Sequence, residues 1–125
     1  MARKKTPTLT DGELRLMEII WERNEATVNE ILEALPKDNP PAYNTVLTIM
    51  RILEKKGYVT HVKEGRAFVY RAVIDRNIAR RKAVRHLMNN FFENSPGLLM
   101  QNIIEDERIS TQDLERLKKM IEDIE

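Results

Sequence analysis

The chain has 125 residues, 42% of them hydrophobic and 33% charged, with a formal net charge of +1, which predicts one domain or one small domain with an appendage. No apolar run approaches the roughly 20 residues that span a bilayer, and no apolar stretch follows the bases of "MARKKTPTLTDGEL", so neither a membrane span nor a secretory leader is expected. Zero cysteines exclude disulfides, thiolate metal sites and thiol nucleophiles, and fit a reducing cytoplasm.

The first predicted element is a helix opened by Thr10. Glu13 stands three residues on to complete a capping box, and Leu9 and Leu14 have the spacing of a hydrophobic staple. Leu14, Met17, Ile20 and Trp21 then keep the helical period to about Asn24. The same grammar repeats: Thr27 caps, Glu30 answers, and Val28, Ile31, Leu32 and Leu35 form one face of a short helix ended by Pro36. "KDNPP" is a loop, because two prolines after an Asp-Asn pair cannot continue a helix. A third helix lies within "PPAYNTVLTIMRILEKKG", with Gly57 placed for a left-handed stop.

After Gly57 the period changes. "YVTHVKEGRAFVYRAV" is rich in β-branched and aromatic residues around Glu64-Gly65 and predicts a hairpin, with Val59 against Phe68 and Val62 against Tyr70. Lys63 and Arg66 flank its tip. Three helices followed by a basic-tipped hairpin is the order of a winged helix-turn-helix. From Asp75 the chain returns to helix: "DRNIARRKAVRHLMNNFFEN" carries Ile78, Val84, Leu87, Met88, Phe91 and Phe92 on a broad apolar face. Ser95-Pro96 restarts a helix with Pro at its first position. In the last segment Ser110 caps, Asp113 takes the third position of a capping box, and Leu114, Leu117, Ile121 and Ile124 form a seam. The expected fold is mainly α: a winged helix-turn-helix over 1–74 and a C-terminal helical dimerisation domain over 75–125.

Charge is distributed unevenly. From Tyr43 to Arg71 there are six bases against two acids, and Arg76, Arg80, Arg81, Lys82 and Arg85 follow with no acid among them. The tail from Glu93 is acidic instead. On the third helix, stepping about 100° per residue puts Val46, Ile49, Met50 and Leu53 on one stripe. Asn44, Thr48, Arg51 and Lys55 fall within about 60° on the opposite side. That row suits the major groove, where Asn and Arg bond base edges bidentately and a Thr methyl touches thymine. The alternative is an ordinary solvated face, which the neighbouring helix, turn and basic hairpin disfavour. Lys55, Lys56, Lys63, Arg66 and the arm Arg3-Lys4-Lys5 are candidates for phosphate contacts, which position without reading sequence. Arg80, Arg81 and Lys82 are either a second phosphate patch or a solvated helix face.

Other chemistry has little support. His61 and His86 are too few and too distant for a metal site, Trp21 reads as core, the methionines as core filler, and neither a cofactor nor an enzyme activity is expected. The last fifty residues are too apolar for exposed helices yet make a thin core alone. Pairing with a second chain solves this and supplies two reading heads about 34 Å or a multiple apart; folding back on the same chain is the alternative. Leu87, Phe91, Leu98, Leu99, Ile103, Leu114, Leu117 and Ile121 are the candidate dimer contacts.

"LTDGELRLMEIIW", "ATVNEILEAL", "AYNTVLTIMRILEKKGYV", "KEGRAFVYRAV" and the closing "ISTQDLERLKKMIEDIE" resemble the BlaI/MecI penicillinase-repressor family over nearly the whole chain, from about Leu9 to Glu125. The resemblance implies a homodimeric repressor on inverted-repeat (palindromic) operators in double-stranded DNA. It matches Tyr43, Asn44, Thr45, Thr48 and Arg51 to the reading helix and Arg66 to the wing. It also implies relief by a protease or sensor-protease cutting after an Asn in the dimerisation domain, which here places Asn102-Ile103 at the cleavage position. Ile103 departs from the aromatic of the family pattern. A copper-sensing branch of the family uses a cysteine-rich C-terminus, which this chain lacks. The competing readings are a winged-helix module that docks a protein partner, and a repressor answering to a non-proteolytic signal.

Overall fold

The computed structural model describes residues 8–124. Helices α1 (Asp11–Arg23), α2 (Val28–Ala34) and α3 (Tyr43–Lys55) surround a small sheet of β1 (Glu25–Thr27), β2 (Val59–Glu64) and β3 (Ala67–Ala72). Helices α4 (Arg76–Phe91), α5 (Pro96–Glu105) and α6 (Thr111–Glu122) complete the chain. Two compact units divide after Val84, inside α4.

Two of the three predicted capping boxes form, at Thr10 and Thr27; at Ser110 only the hydroxyl's half is made. Thr10 Oγ1 accepts from the Glu13 amide at 3.2 Å while the Thr10 amide donates to Glu13 Oε1 at 2.9 Å. Thr27 and Glu30 repeat the exchange at 3.1 and 2.8 Å. Each pair satisfies amides that a helix start would otherwise leave orphaned. The carboxylate of Glu30 is held below its ordinary range chiefly by the Thr27 amide. Ser95 and Ser110 cap α5 and α6 through their hydroxyls; Asp113 supplies its amide to Ser110 at 3.1 Å.

The first unit closes over Met17, Ile20, Ile31, Val46, Met50 and Leu53, all fully buried, together with Tyr58 and the sheet residues Val59 and Tyr70. Burial of each such side chain is worth about 1.5–3 kcal/mol. The periodicity of α3 is thereby met: Val46, Met50 and Leu53 point into the core and Ile49 is half-buried. On α1 the inward set includes Leu16, while Leu14 is exposed. Trp21 is half-buried at the rim, its Nε1 donating to the Ile74 carbonyl at 2.9 Å and its ring lying under Arg76 at 5.4 Å.

The sheet runs in the order β1-β3-β2, antiparallel throughout. Its register differs from the expected apolar pairing: Val59 faces Ala72, His61 faces Tyr70, Val62 faces Val69 and Lys63 faces Phe68. The turn is a tight two-residue one centred on Gly65 and Arg66 rather than on Glu64-Gly65, and that fixes the frame. Gly65 has φ 61°, which the first central residue of such a turn requires and which costs glycine least. Val62 is 56% exposed as a result, on a strand that is buried only at Val59. The short β1 was not expected from sequence: it fills the free edge of β3, pairing Ala26 with Tyr70. Gly57 has φ 85° after the third helix, as predicted.

The second unit has no buried residue among those described, and α5 and α6 contain none. No helix among the described residues is long and apolar enough to cross a membrane.

Candidate nucleic-acid interface

α3 is fastened to the core by its apolar stripe, with Leu47 packed at its margin, and its polar row is turned outward. Asn44, Thr45, Thr48, Arg51 and Lys55 are exposed, and Tyr43 is 42% exposed. Among the described residues, the side chains of Asn44, Arg51 and Lys55 make no hydrogen bond or ion pair within the protein. Their donors and acceptors are therefore available to a partner. Thr48 differs: its hydroxyl donates to the Asn44 carbonyl at 2.8 Å, so it can offer a methyl and acceptor lone pairs but no donor. Ala42, the residue before α3, provides no side-chain cap, unlike Thr10 and Thr27. The first amides of α3 thus remain open to an anion.

The hairpin adds cations beside this helix. Lys63 lies on β2 and Arg66 in the turn, both exposed. Helix and wing are joined by a contact that sequence reading missed. His61 Nδ1 lies 2.6 Å from Glu54 Oε1, and the imidazole packs edge-on against Phe68 and beside Tyr70, each at 5.3 Å. Burial pushes the Tyr70 phenol above its ordinary range, with Glu54 adding to the rise and Arg51 opposing it. Seven residues separate Glu54 from His61 across a turn, so no helical or strand spacing announces the pair.

Lys56 is a correction. The sequence offers it as a phosphate contact, but its side chain is only 7% exposed and its Nζ lies 2.7 Å from Glu13 Oε1. The arm Arg3-Lys4-Lys5 lies outside the described residues. On α4, Arg76, Arg80, Arg81 and Lys82 are exposed; Arg76 stacks on Trp21 and Lys82 sits 5.5 Å over the Tyr58 ring.

In the second unit Leu87, Phe91 and Ile121 are exposed, and Leu98, Leu99, Ile103, Leu114 and Leu117 are half-buried. Asn102 is exposed within α5, its Nδ2 donating to the Leu98 carbonyl at 3.0 Å.

Two capped helices, a turn, a third helix with an exposed polar row and a basic hairpin behind it define a winged-helix DNA-binding protein. The chain belongs to the penicillinase repressor family, BlaI/MecI, whose match runs over residues 9–123. It is similar to the penicillinase repressor of Bacillus licheniformis, at 30% identity over 120 residues, covering 96% of this chain and 94% of that one. It is also similar to the methicillin resistance regulatory protein MecI of Staphylococcus aureus (strain N315), at 25% identity over 117 residues and 94% and 95% of the two chains. Among solved structures, the DNA-binding domain of the repressor BlaI superposes with a TM-score of 0.52 at 38% identity, covering 61% of this chain and 93% of that one. The family expected from sequence is thus established, and with it the winged-helix fold. It is a family of DNA-binding transcriptional repressors, not of enzymes.

Proposed function

We propose that the chain works as a cytoplasmic homodimer that binds inverted-repeat operator DNA and is released by proteolysis in its C-terminal part. Residues 1–74 read DNA and residues 75–125 pair the two copies. The observation that carries the reading is the division of α3, with Val46, Met50 and Leu53 at 0% exposure and the Asn44–Arg51–Lys55 row exposed and unbonded. A helix so held offers bidentate donors to the major groove while the wing cations Lys63 and Arg66 meet phosphates. Tyr43, Thr45 and Thr48 complete the reading face.

Dimerisation is supported by the apolar surface of the second unit, where Phe91 is 73% and Ile124 74% exposed. Leu87, Leu98, Leu99, Ile103, Leu114, Leu117 and Ile121 supply the rest of the contact. Cleavage at Asn102-Ile103 would detach α6 and with it much of that surface, so each half-site would lose its tethered neighbour. Because Asn102 is helical, a protease needing an extended substrate must first unwind α5.

The test is a titration of labelled operator duplex with Arg51→Ala and Lys63→Ala. Arg51→Ala is expected to weaken binding by about 1–3 kcal/mol and relax preference at one base pair per half-site. Lys63→Ala should weaken all sequences evenly and shallow the salt dependence. An Arg51→Ala protein indistinguishable from wild type would contradict the assignment of α3.

A further inference from the structure

The contact between His61 and Glu54 has chemistry that neither the fold nor the α3 row requires. Glu54 lies near the end of the reading helix and His61 on β2, so the pair ties the helix to the wing. An ionised carboxylate only accepts, so at 2.6 Å the imidazole Nδ1 must carry the hydrogen. That fixes the state of the other nitrogen. In neutral imidazole Nε2 is then a bare acceptor, and in imidazolium it is a donor. Among the described residues Nε2 has no hydrogen-bond partner, and the side chain is 35% exposed.

The ring shares its strand face with a cation. Strand alternation puts Lys63 on the same face as His61, one step nearer the wing tip. Tyr70 stands directly across on β3, and Arg51 acts on Tyr70 from α3. Arg71 pairs with Thr60, so it and Glu25, which bond each other at 2.8 Å, stand on the opposite face of the sheet from the His61 ring. The charged and titratable groups on the ring's side of the sheet are therefore Glu54, Arg51, Lys63 and Tyr70. Glu54 is the carboxylate in direct contact.

We propose that His61 is a DNA-phosphate ligand positioned by Glu54, donating from Nε2 only as the imidazolium, so that DNA binding takes up one proton per half-site. The proposal rests on the reading of α3 and the wing as the DNA-binding surface. A phosphate meeting neutral Nε2 would face lone pair against lone pair; a phosphate meeting imidazolium gains a charge-assisted bond. Neutral imidazole keeps its Nδ1–H bond to Glu54, so the wing stays in place across the titration and only the outward contact changes. By linkage, a proton bound more tightly in the complex means affinity that falls as pH rises through the imidazole range.

The experiment is fluorescence anisotropy of full-length protein with a labelled duplex carrying its selected site, at constant ionic strength, between about pH 6 and pH 8. Wild type is expected to lose roughly tenfold in affinity per half-site across that range. His61→Gln should bind at the weaker level throughout, with no slope. His61→Arg should bind tightly throughout, also with no slope, which a purely structural role for His61 would not produce. His86→Gln, which alters the other histidine, should keep the wild-type profile. A flat wild-type profile, or a His61→Gln protein with the wild-type slope, would overturn the proposal. Arg51→Ala separates the two levels of reading: retention of full sequence preference there would sink the α3 assignment while a His61-dependent slope stood.

Discussion

Lys56 Nζ and Glu13 Oε1 meet at 2.7 Å although 43 residues separate them, and each side chain is only 7% exposed. The same lysine donates to the Thr8 carbonyl at 3.1 Å, and the same carboxylate oxygen accepts from the Thr10 amide at 2.9 Å. One pair thus locks the C-terminal end of α3 to the capped start of α1. A cation at a helix C-terminus is also favoured by the helix dipole.

Removing one partner strands the other in a site that water barely reaches. Lys56→Met should therefore cost about 3 kcal/mol of stability, read as a shift in the urea midpoint. The double variant Glu13→Gln with Lys56→Met should recover most of that loss, because no charge is left unpaired. Because Lys56 is shielded from phosphate, folded Lys56→Met should keep the wild-type salt dependence of DNA binding, unlike Lys63→Ala.

The second unit makes its own prediction. Deleting Ser110 to Glu125 removes α6 and the apolar residues Leu114, Leu117, Met120 and Ile121. Sedimentation equilibrium should show the full chain as a dimer and the shortened chain, at the same concentrations, as a monomer, with tight operator binding lost. A truncated protein that remains dimeric would show that the contact lies elsewhere.

Alkaline pH should destabilise the first unit. Burial raises the phenols of both Tyr58 and Tyr70, with Glu13 adding to the first and Glu54 to the second. Both are thus held neutral in the fold while the unfolded chain ionises first. The contribution is fully present below the ordinary tyrosine range and declines as pH rises past about 10. Urea midpoints measured on both sides of that range should fall on the alkaline side, and Tyr70→Phe should reduce the fall.

Much of this fold was legible in the sequence because its elements announce themselves locally. Thr10 with Glu13, Thr27 with Glu30, Gly57 after "RILEKK" and the change of period after Gly57 each encode a boundary within a few residues. What the sequence concealed was tertiary. The strand β1 exists because β3 offers it an edge; the hairpin register follows from where the turn centres; and Lys56 looked like another surface base because nothing near it in sequence marks Glu13 as its partner. His61 carries no local signal for the same reason, its partner lying on the preceding helix. The polar row of α3 was visible as a pattern, but that its Thr48 hydroxyl is already bonded to the Asn44 carbonyl was not.

The central claim is that α3 reads DNA sequence and that two copies do so together. Selection of bound duplexes from a random pool by the full-length protein tests it most directly. The result expected is an inverted repeat whose half-sites are centred one helical turn apart, about 10 base pairs, or a whole multiple of it. Repeating the selection with Arg51→Ala should relax one position in each half. A recovered pool with no enriched sequence, or with a single unrepeated half-site, would contradict the claim.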